Sequence, residues 1–259
     1  MKTAGFIVLL AIPLLFACAP RKPELPLIAV PADPLLQALA RHRQSFAGLK
    51  AIASVEIAKR GRKRKLDTVA VVIDHTRRFR IEAYGPLGQS LMALVWDGRD
   101  TLLRLPGEEG GILPGPTGLE RFFGEGMEAA ELCALLAGNI PETDASAATL
   151  LCRQNGDCIL ELRNGSLLRR VRVSPPAEGS DWEPRILAYE SHRADKLMFQ
   201  ARFDEAVEIA HYRLPMRIVI ENPDRKLQLT VLYSEAEVNT PLSDDIFSLT
   251  DETGTVNSK

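Results

Sequence analysis

The sequence contains few aromatic residues and almost no excess charge. Aromatic side chains make up 6% of its 259 residues and include two tryptophans, so we expect no platform of rings for stacking nucleic-acid bases. The 32 Lys and Arg nearly balance the 34 Asp and Glu, which leaves a formal net charge of −2. Because a near-neutral chain lacks the positive field that attracts nucleic acid, the sequence predicts no nucleic-acid partner.

The motifs of the common enzyme classes are also missing. The chain has no G-x-S-x-G nucleophile elbow, no P-loop and no H-E-x-x-H helix. Its four histidines lack cysteines or carboxylates at metal-binding spacing. They are His42, His75, His192 and His211. We therefore expect no enzyme, no cofactor and no metal site, the alternative being an active site assembled from distant residues.

No apolar run approaches the length of a transmembrane helix, which needs about 20 residues. The run from Phe6 to Leu15, which follows Lys2, instead fits a secretory signal peptide. The next residues, Leu15-Phe16-Ala17-Cys18, resemble the lipobox of bacterial lipoproteins. That resemblance implies removal of residues 1–17 and acylation of Cys18, which would anchor the protein in membrane lipid. The alternative is an ordinary signal peptide followed by a chance cysteine.

The residues after Cys18 suggest which membrane carries the anchor. Ala19 and Pro20 stand where some bacterial lipoproteins have the Asp of an inner-membrane retention signal. We therefore predict the periplasmic face of the outer membrane. Residues 18–32 are rich in proline and are expected to form an extended tether between the lipid and the folded part.

Export would place the other cysteines in a compartment that permits disulfides. Cys152 and Cys158 flank a turn predicted at Asn155-Gly156, so that they could face each other across a hairpin. The sequence leaves two alternatives, a disulfide between Cys152 and Cys158 or two separate buried thiols. Cys133 lies in a helical pattern and is expected to be a buried thiol.

Beyond the tether, the hydrophobic pattern predicts one mainly β domain over residues 33–250, followed by a polar tail at 251–259. A helix begins at Asp33-Pro34, and from Leu49 onward apolar residues recur at every second position. We count about eleven short strands joined by tight turns, and therefore antiparallel. Two short helices are expected in the middle of the chain, at 117–123 and 128–137.

A sheet of that length normally curls, because strand twist accumulates along it. We therefore expect an open antiparallel half-barrel, with apolar residues inside and a few helices across the mouth of a hydrophobic cavity. A filled barrel or sandwich is the alternative, since periodicity does not separate the two.

Three segments resemble the LolA/LolB family of periplasmic lipoprotein carriers, and LolB, the lipid-anchored outer-membrane receptor, more closely than LolA. They are Phe79-Arg80-Ile81-Glu82-Ala83-Tyr84-Gly85-Pro86-Leu87-Gly88, Leu135-Leu136-Ala137-Gly138-Asn139-Ile140-Pro141, and the stretch from Leu214-Pro215-Met216-Arg217-Ile218 to Asp245-Ile246-Phe247-Ser248-Leu249. The resemblance implies an unclosed barrel with a helical lid. It also implies lipoprotein acyl chains as cargo and a soluble LolA-like carrier as partner. The chain departs from the family in its longer tether, its Arg/Lys hairpin and its loop at 174–184.

Alternating apolar positions on the predicted strands supply the candidate cavity lining. They are Val55, Ile57, Phe79, Ile81, Phe199, Phe203, Met216, Ile218, Leu229 and Val231.

Two predicted hairpin tips are candidate contact sites. Pro86-Leu87-Gly88 matches the LolB hairpin that protrudes with an exposed Leu, and the resemblance implies a role in membrane insertion of the cargo; the alternative is a buried turn residue. The second tip carries six cations in seven residues, which suits anionic head groups or an acidic partner. Its alternative role is a solvated turn that protects a sheet edge. These cations are Lys59, Arg60, Arg62, Lys63, Arg64 and Lys65.

Overall fold

The computed structural model describes residues 26–105, 111–113, 119, 123, 126–153, 156–176 and 183–248. Within these ranges the chain forms one antiparallel sheet of fourteen strands, two α-helices and a short 3-10 helix. The strands are β1 (Leu27–Val30), β2 (Gly48–Lys59), β3 (Arg62–Asp74), β4 (Arg78–Tyr84), β5 (Ser90–Trp96), β6 (Thr101–Arg104), β7 (Gly111–Leu113), β8 (Ala147–Arg153), β9 (Cys158–Asn164), β10 (Leu167–Val173), β11 (Ile186–Arg193), β12 (Lys196–Ile209), β13 (Tyr212–Asn222) and β14 (Leu227–Val238). The helices are α1 (Asp33–Gln44) and α2 (Ala129–Leu136), and the 3-10 helix is Asp244–Phe247.

The sheet is open. Its strand order is β1-β8-β9-β10-β11-β12-β13-β14-β2-β3-β4-β5-β6-β7, so that β1 and β7 form its two edges. The pairing of β14 with β2, for example Leu229 opposite Ile57, brings the last strand beside the first long one. The predicted open antiparallel architecture is therefore confirmed, with more strands than the eleven or so that the sequence indicated.

One additional strand comes from the segment that the sequence indicated as a free tether. Leu27–Val30 is extended, as expected, but it pairs with β8, with Ile28 opposite Cys152. A Leu-Ile-Ala-Val run has high strand propensity and covers the outer edge of β8. Sequence pattern missed it because the strand is mostly exposed and has no buried face to produce alternation.

The sheet wraps around α2. The one helix contacts strands far apart in the order: Cys133 Sγ lies 3.6 Å from the Arg78 carbonyl of β4, while Glu131 pairs with Arg169 of β10. Only a strongly curved sheet brings β4 and β10 to the same helix. The predicted helix at 128–137 is thus confirmed as α2, whereas the one predicted at 117–123 falls largely outside the described residues.

Glycine is required where α2 ends. Gly138 has φ +72°, and a Cβ there would lie 2.3 Å from Cδ of Pro215. The left-handed conformation ends the helix, and the missing side chain lets its last turn lie directly against β13. The sequence therefore fixes both the end of α2 and its close approach to the sheet.

Three hairpin tips lie at the same end of the sheet, which we call the upper end. They are the turns at Arg60-Gly61 (β2–β3), 85–89 (β4–β5) and 223–226 (β13–β14). The register fixes this arrangement, since Lys59 lies opposite both Arg62 and Leu227, and Tyr84 opposite Ser90. The turns at 75–77 and 210–211 lie at the other, lower end.

Candidate functional site

An apolar cavity of about 190 Å³ lies between α2 and one part of the sheet. It is bounded by strands β2 to β6 and β14, and we call this region the cavity side of α2. Among the described residues around it, Lys59 alone carries a charge. The residues that line it are Val55, Ile57, Lys59, Leu66, Val69, Val71, Ile81, Met92, Leu94, Leu103, Phe123, Leu132, Leu136, Leu227, Leu229 and Val231.

Strand register explains why these residues meet. Val55 lies opposite Val231 on one neighbouring strand and opposite Leu66 on the other. Residues directly opposite in an antiparallel ladder project to the same face, so all three side chains face α2. Most side chains on this face of the sheet are Val, Ile or Leu. Because these are shorter than aromatic rings, they leave space between the sheet and the helix. Because Lys59 is exposed, the cavity reaches the surface at the upper end.

The opposite side of α2 is closely packed. Here strands β9 to β12 contribute fully buried side chains, among them Leu160, Val171 and Phe199. The Phe199 ring lies 5.9 Å from that of Tyr189, centroid to centroid. We call this region the packed side.

A buried polar cluster fixes α2 to the packed side. Glu131 is 3% exposed and accepts hydrogen bonds from the Tyr189 hydroxyl at 2.9 Å and from Arg169 at 3.3 Å. Burial raises the pKa of the Glu131 carboxyl, and the positive charge of Arg169 offsets part of that effect. Glu131 also accepts the backbone N–H of Glu128 at the start of the helix, so it links helix capping to tertiary contact.

Two tyrosines hold the other end of α2. The Tyr233 hydroxyl donates to the Leu136 carbonyl at 2.9 Å, and the Tyr212 hydroxyl donates to the Ala137 carbonyl at 2.5 Å. Burial raises the pKa of both phenols, so both remain neutral donors. These bonds satisfy carbonyls that a helix end otherwise leaves without partners.

Five of the ten predicted lining residues border the cavity. They are Val55, Ile57, Ile81, Leu229 and Val231. The others face inward as alternation requires, but they lie elsewhere. Phe79, Phe199 and Ile218 are fully buried core residues. The ring of Phe79 packs against Trp96 and that of Phe199 against Tyr189. Phe203 borders a separate, more polar groove with His42 and Arg213, and Met216 packs half-buried against the core.

Sequence reasoning missed several lining residues. Leu132 and Leu136 of α2 carry the helical half of the wall, and no strand pattern points to them. Val69 and Val71 lie in a uniformly apolar strand, where both faces look alike in sequence. A search for inward positions in register with Val55 would have found them, because Ala53 lies opposite Val69 and Ala51 opposite Val71.

Leu87 stands at the tip of the β4–β5 hairpin and is 93% exposed. Gly88 adopts φ +78° and its N–H bonds to the Gly85 carbonyl at 2.9 Å, which closes a tight turn. The Leu87 N–H donates to the Gln89 side chain at 3.1 Å. The alternative of a buried turn residue is therefore wrong, and an apolar side chain projects from the upper end.

The six predicted cations lie on the β2–β3 hairpin, which we call the basic hairpin (59–65). All six are exposed. The pairing of β3 with β4 starts only at Thr68 opposite Tyr84, so residues 62–67 extend beyond β4. The Arg60 N–H bonds to the carbonyl of Lys226 at 3.0 Å, which joins this tip to the neighbouring β13–β14 turn.

The described cysteines comprise one disulfide pair and one free thiol. Cys152 and Cys158 are joined in a disulfide, with their Cα atoms 4.1 Å apart, across the β8–β9 hairpin. The sequence left open a disulfide or two separate buried thiols, and the structure shows the disulfide. Cys133 is a buried free thiol whose pKa is raised well above its ordinary value by burial. Cys18 lies outside the described residues, so its acylation stays a prediction.

Within the described ranges, no group of three or more His, Cys, Asp or Glu residues could hold a metal ion. The helices in the same ranges are too short or too polar to span a membrane.

Solved structures share this open antiparallel sheet. A DUF1329 family protein from Desulfovibrio piger superposes with a TM-score of 0.59 at 13% identity, over 85% of this chain and 98% of that one. A LolA superfamily protein from Nitrosomonas europaea gives 0.55 at 17% identity, with the same coverage of 85% and 98%. A domain from Vibrio parahaemolyticus, provisionally assigned as an outer membrane lipoprotein-sorting protein, gives 0.51 at 11% identity over 82% of this chain and 95% of that one.

These likenesses show that the chain shares its fold with these structures, one of which is a LolA superfamily protein. No protein-family model and no curated protein sequence matches the chain.

Proposed function

We propose that this protein is a non-enzymatic, lipid-anchored lipoprotein of the outer membrane. In this proposal it binds acyl chains of lipoproteins or lipids in the cavity beside α2 and aids their insertion into the membrane. The observation that carries the proposal is the apolar cavity, which is lined by aliphatic side chains and reaches the surface at Lys59. Its LolA-like fold agrees with this role, and a soluble LolA-like carrier would supply the cargo.

The size of the cavity limits what enters it. An engineered apolar cavity of about 150 Å³ stays dry and binds benzene, so about 190 Å³ holds the terminal part of one acyl chain. The remainder of such a chain would lie along the upper end, toward Lys59. Burial of each CH₂ group contributes about 0.8 kcal/mol, which is roughly fourfold in affinity for each group that enters the cavity.

The test is native mass spectrometry of protein purified from periplasm without detergent. A chain that starts at Ala19 and is exported by a cleavable signal peptide without a lipobox keeps every described residue and carries no acylated cysteine. We expect copurified lipid or lipopeptide in this chain and its loss in Leu229→Trp, which places a large ring inside the cavity and narrows it. Leu232→Trp is the matched control, because Leu232 is three residues further along β14 and projects away from the cavity, 39% exposed.

Absence of bound lipid from the unaltered chain would contradict the proposal. It would favour instead a structural or assembly lipoprotein of the same fold.

Delivery to the membrane is tested at Leu87. Because Leu87 is exposed, Leu87→Glu should change the free energy of unfolding by no more than about 0.5 kcal/mol. A carboxylate at the tip opposes entry into the acyl region of a bilayer, so cargo should still bind but should reach liposomes more slowly. Val207→Glu is the control, since Val207 is also exposed but lies near the lower end. Unchanged transfer by Leu87→Glu would remove the hairpin from the mechanism.

The anchor is tested by Cys18→Ala in the full chain. We expect no incorporation of labelled palmitate, and a periplasmic protein that is either soluble or keeps its uncleaved signal peptide. Labelling that persists in this variant would show that the lipobox assignment is wrong.

A further inference from the structure

The two faces of the basic hairpin differ in their surroundings. Lys59 lies opposite Arg62, Ile57 opposite Arg64 and Val55 opposite Leu66. Directly opposite residues share a face, and Val55, Ile57 and Leu66 line the cavity. Three cations, namely Lys59, Arg62 and Arg64, therefore stand on the cavity face just above its apolar wall; we call them the rim.

The cations of the other face are already paired. Lys63 bonds Glu56 at 3.0 Å and Lys65 bonds Asp67 at 2.6 Å. None of the rim cations forms an ion pair with a carboxylate in the part of the chain that the structure describes. Apart from Arg60 in the turn, the hairpin thus keeps its unpaired cations on the side where the cavity opens.

The position of the rim cations above the apolar cavity indicates which class of ligand could bind there. An apolar cavity that opens beneath unpaired cations is complementary to an amphiphile with an apolar chain and an anionic head. Arginine presents its N–H groups in a planar fork that matches phosphate oxygens, and the rim contains two arginines. Acyl chains without a charged head would leave these cations unused.

We propose that Lys59, Arg62 and Arg64 bind the anionic phosphate head group of an amphiphile whose chain enters the cavity. The inference rests on the proposed function and narrows it, because it names the class of cargo head group. It also explains why the cations are split between two faces, with acidic partners on only one.

Calorimetric titration with chain-matched probes tests the proposal. The probes are dodecyl phosphate, dodecyl maltoside, which has the same chain and an uncharged head group without phosphate, and inorganic phosphate. Both amphiphiles are used below the concentration at which micelles form, with the chain that starts at Ala19. We expect dodecyl phosphate to bind about tenfold more tightly than dodecyl maltoside, which is roughly the effect of one good charge-assisted contact.

The hairpin provides its own matched control. The rim variant Arg62→Gln/Arg64→Gln should lose about tenfold in affinity for dodecyl phosphate and nothing for dodecyl maltoside. Lys63→Gln/Lys65→Gln removes the same charge from the same strand, and should bind both probes as the unaltered chain does. Lys59→Gln is a second rim variant if the double substitution prevents folding, which circular dichroism reports.

The outcomes separate this inference from the proposed function. Equal binding of both amphiphiles, unaffected by the rim variant, would overturn the head-group site and leave the cavity intact. Binding of neither amphiphile would overturn the cavity function and this inference with it. Equal losses in the two double variants would overturn the rim site, because they would show that the net charge of the hairpin attracts the phosphate. Inorganic phosphate that binds as tightly as dodecyl phosphate would show that the chain takes no part.

Discussion

The two sides of α2 use the same sheet in different ways. On the packed side, aromatic rings such as Tyr189 and Phe199 fill the space, and the Glu131–Arg169 pair fixes the helix. On the cavity side, Val, Leu and Ile side chains face the same helix across open volume. Both sides show the same inward alternation, so alternation determines which residues face the helix. Side-chain size and polar anchoring then determine whether that face is filled.

The largest effect is expected from removing a ring on the packed side. Phe199→Ala should lower the free energy of unfolding by roughly 3–5 kcal/mol, because it deletes a fully buried ring from a filled region. Ile57→Ala on the cavity side should cost only roughly 1 kcal/mol, since Ile57 is half-buried and borders space already. Urea denaturation measures both. Equal losses would break the distinction between the sides.

A smaller effect is expected at the end of α2. Tyr233→Phe removes the donor to the buried Leu136 carbonyl and should cost about 1–3 kcal/mol, the penalty for an unpaired buried acceptor. Tyr212→Phe, which frees the neighbouring Ala137 carbonyl, should behave alike. Because Leu136 also lines the cavity, Tyr233→Phe should weaken acyl binding as well. Unchanged stability in both variants would show that packing alone holds the helix.

The smallest effect is a pH dependence from Glu131. Burial raises its pKa in the folded state, so the folded chain binds this proton at pH values where the unfolded chain has released it. Stability from this group therefore falls as pH rises from the ordinary value of 4.5 through the raised pKa.

Glu131→Gln separates the contribution of Glu131 to the pH dependence of stability from the contributions of the other carboxylates. Burial opposes ionisation of Asp74, Glu82 and Glu161, but hydrogen bonds from neighbouring His, Tyr and Arg side chains and the arginine charges lower the pKa of each. These contributions cancel in the comparison. The stability of the unaltered chain relative to the variant should decrease as pH rises through this window. A difference that grows with rising pH would mean that the Arg169 pairing outweighs burial.

The sequence predicted the architecture better than the site. Alternation identified Phe79 and Phe199 as inward-facing, and both face inward. Whether an inward residue meets a ring, the helix or open space depends on how far the sheet curves and where α2 lies. Those are contacts between distant segments, which local periodicity does not contain.

The upper end shows a similar division. Sequence placed Leu87 and the basic hairpin at turns, and the turns are there. That these tips share one end with the cavity opening follows from strand order, in which β14 pairs with β2. Lys59 is the residue where this matters most, because it belongs both to the cationic run and to the cavity wall.

The central claim is that an acyl chain occupies the cavity side and not the packed side. The most direct measurement is methyl NMR of the chain that starts at Ala19, titrated with stearic acid that carries a nitroxide near the end of its chain. We predict that methyl signals of Val55, Val71 and Val231 broaden strongly, while those of Val171 and Val173 on the far side of α2 broaden much less. Equal or stronger broadening of Val171 and Val173, or no broadening at all, would contradict the claim.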